Sequence, residues 1–365
     1  LYDCRLSDNE CYYEGGGAAA AELYGCTLTT NQARRGGGAA RALLQDCLVA
    51  DNHAGEAGGG VYQSQVAGST IRDNTGSQAG GGACASDLSD SRLSGNAAIK
   101  GGGMYLGSAV RCTVTQNDAD TDGGGACDSD LTNCVIRGNS ADQKGGGFRG
   151  GSARNSFLYG NSAGTGGGAY HADLFHCTVV SNRASSDASA VYDADCYNSI
   201  LYYNSTNVSE FSLSHFYHCC RSTAYATCLT NAPGLAGLDN PHLLADSPCR
   251  NAGDNAYAQP ADRDLDGEVC MADGAVDIGC DEYVAAGITG AVHVAFACVP
   301  VTVDVNEPML FTSQVSGRVE RIAWSFGSGA AVSNRTVVEH AFAVGGWHEV
   351  TLTAWNGDDV YAAAT

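Results

Sequence analysis

The chain has 365 residues, a formal net charge of −21 and only two lysines, Lys100 and Lys144. Such an acidic surface excludes nucleic acid and anionic membranes as partners, and it disfavours polyuronates or sulfated glycans unless arginines gather locally. Since no apolar run reaches the roughly 18 residues that a membrane span requires, the sequence predicts no transmembrane segment.

Glycine triplets recur through the first half of the chain at steps of 21 or 22 residues. They begin at Gly15, Gly36, Gly58, Gly80, Gly101, Gly123, Gly145 and Gly166, and a degenerate copy begins at Ala188. An asparagine follows each start by 16 residues, from Asn31 to Asn204, and Asn9 precedes the series. A phosphate-binding glycine loop occurs once and before a helix, so this recurrence indicates a repeating scaffold instead.

Two columns of residues before each asparagine repeat with the same chemistry. The third residue before it is always aliphatic, as in Leu28, Val49 and Ile71, and the fifth is always Cys or Ser. A separation of two is the strand period, so both columns are predicted to point inward. The pattern predicts an all-β fold, a right-handed parallel β-helix of about ten coils rising about 4.8 Å each. We expect the asparagines to bond along the stack at a turn, in the left-handed conformation that asparagine tolerates.

The repeat resembles a known family. "GGGA" followed by "LTTN", "IRDN", "VTQN" or "IRGN" is similar to the repeats of polymorphic outer-membrane-protein β-helices, with aliphatic residues where that family favours Phe. The segments 231–255 and 264–283 are similar to the closing segment of bacterial secreted β-helix proteins of the choice-of-anchor type. The resemblance implies a secreted or cell-surface location. Because Leu1 opens within a repeat, we expect the chain to be part of a longer exported precursor.

The composition divides the chain into three parts. We predict β-helix coils at 1–206, an irregular closing segment at 207–287 packed on the late coils, and a β-sandwich at 288–365. In late coils the outward positions turn apolar, as at Phe157 and Ile200, so we expect residues from 205–290 or the sandwich to cover them. The last part resembles a PKD domain, an Ig-like β-sandwich, in "WSFGSG" and "HAFAVGGWHEVTLTAWN". Ser325 and Ser328 replace two aspartates of that motif.

Two patterns predict ligand sites. Asp262, Asp264, Asp266 and Asp273 stand at positions 1, 3, 5 and 12 of a calcium-type loop, although a polar turn explains the same residues. An outward column after the triplets carries Tyr62, Tyr105, Arg149, Tyr170 and Tyr192. Tyrosines bind sugar rings by stacking, so this column predicts glycan contact unless it packs under a loop.

An enzymatic alternative remains open. A β-helix polysaccharide lyase or hydrolase needs a base and a neutralising cation. The best local gathering is Arg149, Arg154, Tyr159, Tyr170, His171 and His176. The inward columns persist through all coils, so an extracellular structural or adhesive rod is the preferred interpretation, with glycans or further copies of the chain as partners and Ca²⁺ as the one candidate cofactor.

The cysteine count is odd, at 17. Cysteines stacked inside the coils behave as small apolar residues. The cysteines assigned to the closing segment are the better disulfide candidates, with no connectivity fixed by sequence: Cys219, Cys220, Cys228, Cys249, Cys270, Cys280 and Cys298.

Overall fold

The computed structural model describes residues 1–271, 273–284, 293–299, 302–316, 321–327, 332–333, 336–355 and 361–364. It forms two compact units, Leu1–Leu265 with Cys270–Tyr283, and Asp266–Val269 with Val284–Thr365. No helix in the described ranges is long and apolar enough to cross a membrane.

The first unit is a parallel β-helix, in which each coil contributes strands to three parallel sheets. The first sheet holds the strand before each repeat asparagine: Arg5–Ser7, Thr27–Thr29, Leu48–Ala50, Thr70–Arg72, Arg92–Ser94, Thr113–Thr115, Val135–Arg137, Phe157–Tyr159, Thr178–Val180, Ile200–Tyr202 and Cys220–Arg221. The second sheet holds the strand after it: Glu10–Glu14, Gln32–Arg35, His53–Ala57, Thr75–Ala79, Ala97–Lys100, Asp118–Asp122, Ser140–Lys144, Ser162–Thr165 and Arg183–Asp187.

The third sheet follows the glycine triplets and carries one long or two short strands per coil. Its strands are Ala18–Ala19, Glu22–Tyr24, Ala39–Ala40, Leu43–Gln45, Val61–Tyr62, Gln65–Ala67, Ala83–Ser89, Met104–Val110, Ala126–Thr132, Phe148–Arg154, Ala169–Tyr170, Asp173–Phe175, Val191–Tyr192, Asp195–Tyr197, Phe211–Ser212 and His215–Tyr217. Equivalent residues of successive coils are register partners, as Leu28, Val49 and Ile71 are in the first sheet. The vertical stacking predicted from the repeat is therefore confirmed.

The core is the inside of the coils. Leu28, Val49 and Ile71 are fully buried, as are Cys26 and Cys134 of the Cys/Ser column. One apolar cluster runs from Leu23 to Cys219 along the stack. Both columns therefore face inward as the strand period requires, and each coil buries its apolar side against its neighbours.

The repeat asparagines form a continuous ladder. Each side-chain amide donates to the Oδ1 of the next coil's asparagine at 2.9–3.0 Å, from Asn9 to Asn204. At the end Asn204 donates to Glu210 Oε1 at 3.0 Å, so a carboxylate terminates the ladder. The expected left-handed conformation was wrong for the asparagine itself. It belongs to the residue before it, as at Asp51, where φ is 56°, which frees the asparagine for the ladder.

The glycine triplet is required by backbone contact between coils. A Cβ at Gly102 would overlap the backbone of Asp118, and the first glycine of each triplet has a positive φ, as Gly101 does at 62°. Ala188 takes the same conformation at 55°, which explains how the degenerate copy keeps the coil path. These glycines therefore have a purely structural role.

The coil strands continue past the predicted end at residue 206 to Cys220–Arg221, and the closing segment that follows them lies on the late coils. It contains the strands Leu235–Gly237 and Asn240–Leu243 and the 3₁₀ helix Asn255–Tyr257. Ile278 packs with Ile200 in one buried cluster, and Cys280 packs with Phe157 in another. The apolar outward residues of these coils are thus covered, which removes an exposed apolar surface.

The second unit contains two antiparallel sheets. One consists of His293–Val299, Pro308–Ser316 and Val337–Ala341, and the other of Val332–Ser333, Arg321–Ser325, Thr351–Trp355 and Tyr361–Ala364. Trp324 is fully buried in its core with Phe311 and Leu352. Ser325 lies at a strand end, and Ser328 lies outside the described residues.

Candidate functional site

The predicted tyrosine column exists as one line of register partners on the third sheet. Tyr62 pairs with Cys84, Cys84 with Tyr105, Cys127 with Arg149, Arg149 with Tyr170, and Tyr170 with Tyr192. The residue before each of the five predicted members is buried, and the members themselves are half-buried. The column therefore faces outward, as the alternation predicts.

The early members of the column are engaged by neighbouring side chains. The Arg35 guanidinium lies 5.5 Å from the ring centre of Tyr62. Tyr105 stands between the buried Cys84 and Cys127, and its pKa is raised by burial and then by the Asp128 carboxylate. These contacts fix the rings and leave them only partly open to a ligand.

Arg149 interrupts the tyrosine column. Its Nη1 lies 2.9 Å from Asp128 Oδ1 in the preceding coil, and both side chains are partly exposed. This partner occupies the guanidinium, so Arg149 is not available as a free cation for a bound carboxylate.

Tyr170 and Tyr192 form a parallel stack. Their ring centres are 4.9 Å apart and the planes differ by 2°. Lys144 Nζ lies 5.0 Å from the Tyr170 ring centre, and the register partner of Tyr192 in the following coil is Ser212. Tyr170 is thus contacted by a lysine and a ring, whereas beyond Tyr192 the column continues with a small side chain.

A second polar column lies three residues further along the same sheet. Its register runs through Asp87, Ser108, Asp130, Ser152, Asp173, Asp195 and His215. In the earlier coils a serine separates the acids and donates to one, as Ser108 Oγ does to Asp87 at 2.7 Å. Asp173 and Asp195 are adjacent without a spacer, and the pKa of Asp173 is raised by burial and then by the Asp195 carboxylate.

Two histidines pair with acids beside the late tyrosines. His171 Nδ1 lies 2.9 Å from Asp193 Oδ2, and His215 Nδ1 lies 2.9 Å from Asp195 Oδ1. With Tyr170, Tyr192 and Asp173 these residues make up what we call the late-coil face: Tyr170, His171, Asp173, Tyr192, Asp193, Asp195 and His215. It presents aromatic rings beside hydrogen-bonding groups of net negative charge.

The residues predicted as a candidate catalytic cluster do not lie together in the structure. Tyr159 is on the first sheet, where its ring stacks on Phe157, whereas Tyr170 is on the third sheet. Arg154 Nη1 lies 3.3 Å from Asp262 Oδ2 and donates to the Tyr257 carbonyl at 3.2 Å. Arg154 is therefore held beneath the closing segment.

His176 is also held beneath the closing segment. It is 3% exposed, with Nε2 3.3 Å from the Tyr257 carbonyl. Burial is the main cause that lowers its pKa to about 4, so the imidazole is neutral at neutral pH. His176 is buried and neutral, so it cannot contact a polysaccharide, whereas the exposed His171 can.

The four predicted calcium ligands have different surroundings. Asp262 pairs with Arg154 and accepts from the Gln259 amide at 2.9 Å, and Asp264 accepts from the Glu282 amide at 3.1 Å. Asp266 is buried and Asp273 is exposed. The bond from the Gln259 amide to Asp262 is that of a polar turn, whereas the bond at Asp264 comes from a residue 18 positions later in the chain. The calcium site stays a prediction.

Sequence reasoning missed part of the late-coil face. Asp173 and Asp195 repeat at the spacing of the coils, three residues after Tyr170 and Tyr192, so their column was readable from the repeat. His215 lacks that signal because the coil that carries it is shorter: it follows Asp195 by 20 residues. Only the register shows that it pairs with Asp195.

Comparisons with known proteins agree with the two-part architecture. Residues 42–215 match the family described as periplasmic copper-binding protein (NosD), and residues 292–365 match the PKD domain. The first match lies within the parallel β-helix of this chain. This β-helix is followed by a PKD domain.

Two solved structures are similar to the chain at low identity. The pectate lyase Pel9A is 11% identical with a TM-score of 0.37, over 72% of this chain and 72% of that one. A tailspike of an Acinetobacter phage is 11% identical with a TM-score of 0.30, over 93% of this chain and 63% of that one. The sequence has no match among the curated proteins.

Proposed function

We propose that the protein is an exported, carbohydrate-binding β-helix rod whose binding surface is the late-coil face. The observation that carries this proposal is the parallel Tyr170–Tyr192 stack, followed in register by the small Ser212. A sugar ring that stacks on Tyr192 above Ser212 continues the ladder of rings that the coils have already built. Tyr170 acts as the support that holds the Tyr192 ring in place.

Hydrogen-bonding groups flank this position on two sides. Asp193 directly follows Tyr192, and Asp195 opens the next strand of the same coil. The pairs His171–Asp193 and His215–Asp195 restrict both carboxylates while leaving acceptor oxygens for sugar hydroxyls. A stacking ring beside fixed acceptors is the usual composition of a sugar subsite.

The charge of the face selects the class of glycan. Asp173, Asp193 and Asp195 belong to the late-coil face, whereas the neighbouring cations, Lys144 and Arg149, contact or pair with Tyr170 and not with Tyr192. Uronates and sulfates would be repelled. We therefore assign neutral or N-acetylated sugars as the ligand, rather than acidic polysaccharides.

A glycan array bearing neutral, N-acetylated and uronate oligosaccharides tests the proposal. We expect wild-type protein to bind neutral or N-acetylated glycans, and Tyr192→Ala to lower the affinity about tenfold, roughly 1.4 kcal/mol. Tyr13→Ala is the control, because Tyr13 is an exposed tyrosine (66%) in the strand Glu10–Glu14 of the second sheet, outside the late-coil face.

Three results would reject the proposal. They are no binding to any glycan, equal binding by wild type and Tyr192→Ala, and binding restricted to uronates. Release of unsaturated ends from an acidic polysaccharide would support the lyase alternative instead. Growth of the sedimentation coefficient with concentration, without glycan, would favour a self-associating fibre subunit.

A further inference from the structure

Two consecutive cysteines end the last coil and point in opposite directions. Cys219 belongs to the apolar interior of the coils, with Phe216 and Cys196. Cys220 belongs to the outer cluster beneath the closing segment, with Leu243 and Cys249. The strand alternation separates the two thiols, so each must find its own surroundings.

The chain after the last coil brings Cys228 beside Cys219. Leu229 and Cys220 form a parallel bridge, and the Leu229 amide donates to the Cys219 carbonyl at 2.8 Å. The preceding residues, Cys228 and Cys219, are therefore neighbours in register, and the Cys219 side chain is the main cause that lowers the pKa of the Cys228 thiol. Neighbouring strands lie about 4.8 Å apart, within the Cα separation that a disulfide spans.

Cys220 and Cys249 form the second pair of neighbouring cysteines. Both residues are fully buried in one apolar cluster, and the Cys220 side chain is the main cause that raises the pKa of the Cys249 thiol. Cys249 follows the strand Asn240–Leu243 of the closing segment, and the Ile278 amide donates to its carbonyl at 2.9 Å. This contact therefore connects the last coil to the segment that covers it.

We propose that Cys219–Cys228 and Cys220–Cys249 form two disulfides in the exported protein. The first ties the end of the last coil to the chain that follows it, and the second ties the closing segment to that coil. The inference rests on the proposed export only in that export brings the chain to an oxidising compartment. No other pairing of these four thiols fits, because Cys219 and Cys220 face different clusters.

The oxidant is a disulfide, either of a thiol oxidoreductase or of a small-molecule thiol. Cys228 attacks one sulfur of that disulfide and releases the other as a thiol, which gives a mixed disulfide. Cys219 then attacks the Cys228 sulfur, closes the protein disulfide and releases the second thiol. One disulfide is reduced to two thiols for each pair that is oxidised, and the thiol protons pass to the released thiolates or to solvent.

The surroundings of Cys228 suit the attacking role. The neighbouring Cys219 side chain lowers the Cys228 pKa to about 7, against the effect of burial, and the Arg221 charge acts in the same direction. Phe211 and Phe216 hold that guanidinium, 4.3 and 4.0 Å from their ring centres. Cys228 is half-buried and reachable, whereas Cys219 is fully buried, which makes Cys219 the resolving thiol.

Peptide mapping by mass spectrometry of the full chain tests the pairing. The chain is refolded in a glutathione redox buffer and digested without reduction. Because Cys219 and Cys220 are consecutive, we expect one peptide that contains both to carry two cross-links, one to Cys228 and one to Cys249. The linked species should be four hydrogens lighter than its reduced peptides, and fragmentation between Cys219 and Cys220 assigns each link. Cys228→Ser is expected to remove the Cys219–Cys228 link and keep Cys220–Cys249. Cys112→Ser is the control, since serine occupies the equivalent position in the preceding coil, at Ser91, and it should change neither link.

Any of three results would overturn the inference. They are four alkylatable thiols in the native oxidised chain, a Cys219–Cys249 link, or a native mass that shows a metal retained at these residues. The pairing is measured without any glycan. If the disulfides were absent, the sugar-binding proposal would not be affected. If no glycan bound, the proposed cysteine pairing would not be affected.

Discussion

Replacing one asparagine of the ladder should lower the unfolding free energy of the first unit by several kcal/mol and leave the stability of the second unit unchanged. Asn117 is 1% exposed. Its Oδ1 accepts from both the backbone amide and the side-chain amide of Asn96, each at 3.0 Å. Asn117→Ala leaves both donors buried and unpaired. At about 1–3 kcal/mol for each unsatisfied donor, we expect a loss of about 4 kcal/mol in the unfolding free energy.

The positions of the tryptophans separate the two units in an unfolding experiment. Trp324, Trp347 and Trp355 all follow residue 284, so tryptophan fluorescence reports the second unit. Far-UV circular dichroism reports mainly the coils, which contain most of the strands. In urea, Asn117→Ala should move the circular dichroism transition to a lower midpoint and leave the fluorescence transition in place.

Gln116→Ala is the matched control for the ladder experiment. Gln116 directly precedes Asn117 in the chain and is exposed with a φ of 54°, so its replacement should change the unfolding free energy by less than about 0.5 kcal/mol. The reasoning would be refuted if the two variants had the same stability. An equal shift of the fluorescence transition would show instead that the whole chain unfolds as one unit.

Two further predictions concern buried groups and close backbone contact. Burial lowers the pKa of His176 to about 4 and raises that of Asp277 to about 6. On acidification from pH 7 to 4 the histidine therefore lowers the free energy of unfolding by about 3 kcal/mol, and the acid raises it by a similar amount. Relative to wild type, His176→Asn should therefore gain stability on acidification, and Asp277→Asn should lose it. Urea unfolding at both pH values measures these changes. If wild type and both variants showed the same pH dependence, the two pKa shifts would be contradicted. Gly102→Ala should cost more than about 3 kcal/mol because its Cβ overlaps the Asp118 backbone, whereas Gly138→Ala meets only the Gln116 side chain at 3.9 Å and should cost about 1–2 kcal/mol from its positive φ. Equal thermal shifts for the two glycine variants would remove the steric explanation.

The scaffold was largely readable from the sequence because its contacts are local in the repeat. The spacing from triplet to asparagine is constant, so Asn96 and Asn117 had to meet once the coils stacked. The same registry predicted the buried Leu28 and Val49. The left-handed turn residue was misassigned because a ladder position and a turn position are adjacent in sequence, and composition alone favours asparagine for both.

The candidate site could be predicted only in part from the sequence, because it depends on which outward side chains the closing segment covers. Tyr170 and Tyr192 were found from their column. Arg154 and His176 were grouped with them as residues of adjacent coils, yet the 3₁₀ helix that ends at Tyr257 lies over both. That contact joins residues 103 and 81 positions apart, so no local pattern in the sequence reports it.

The sequence by itself determined the coil, its period, its inward columns and the β-sandwich that follows, because each is enforced by nearest-neighbour stacking or strand alternation. Only the tertiary structure decided which outward side chains remain reachable. It left Tyr192 beside Ser212, covered His176, and placed Cys228 against Cys219 and Cys249 against Cys220. The path of an irregular segment is set by long-range packing of apolar and hydrogen-bonding groups, and that packing carries no periodic signal.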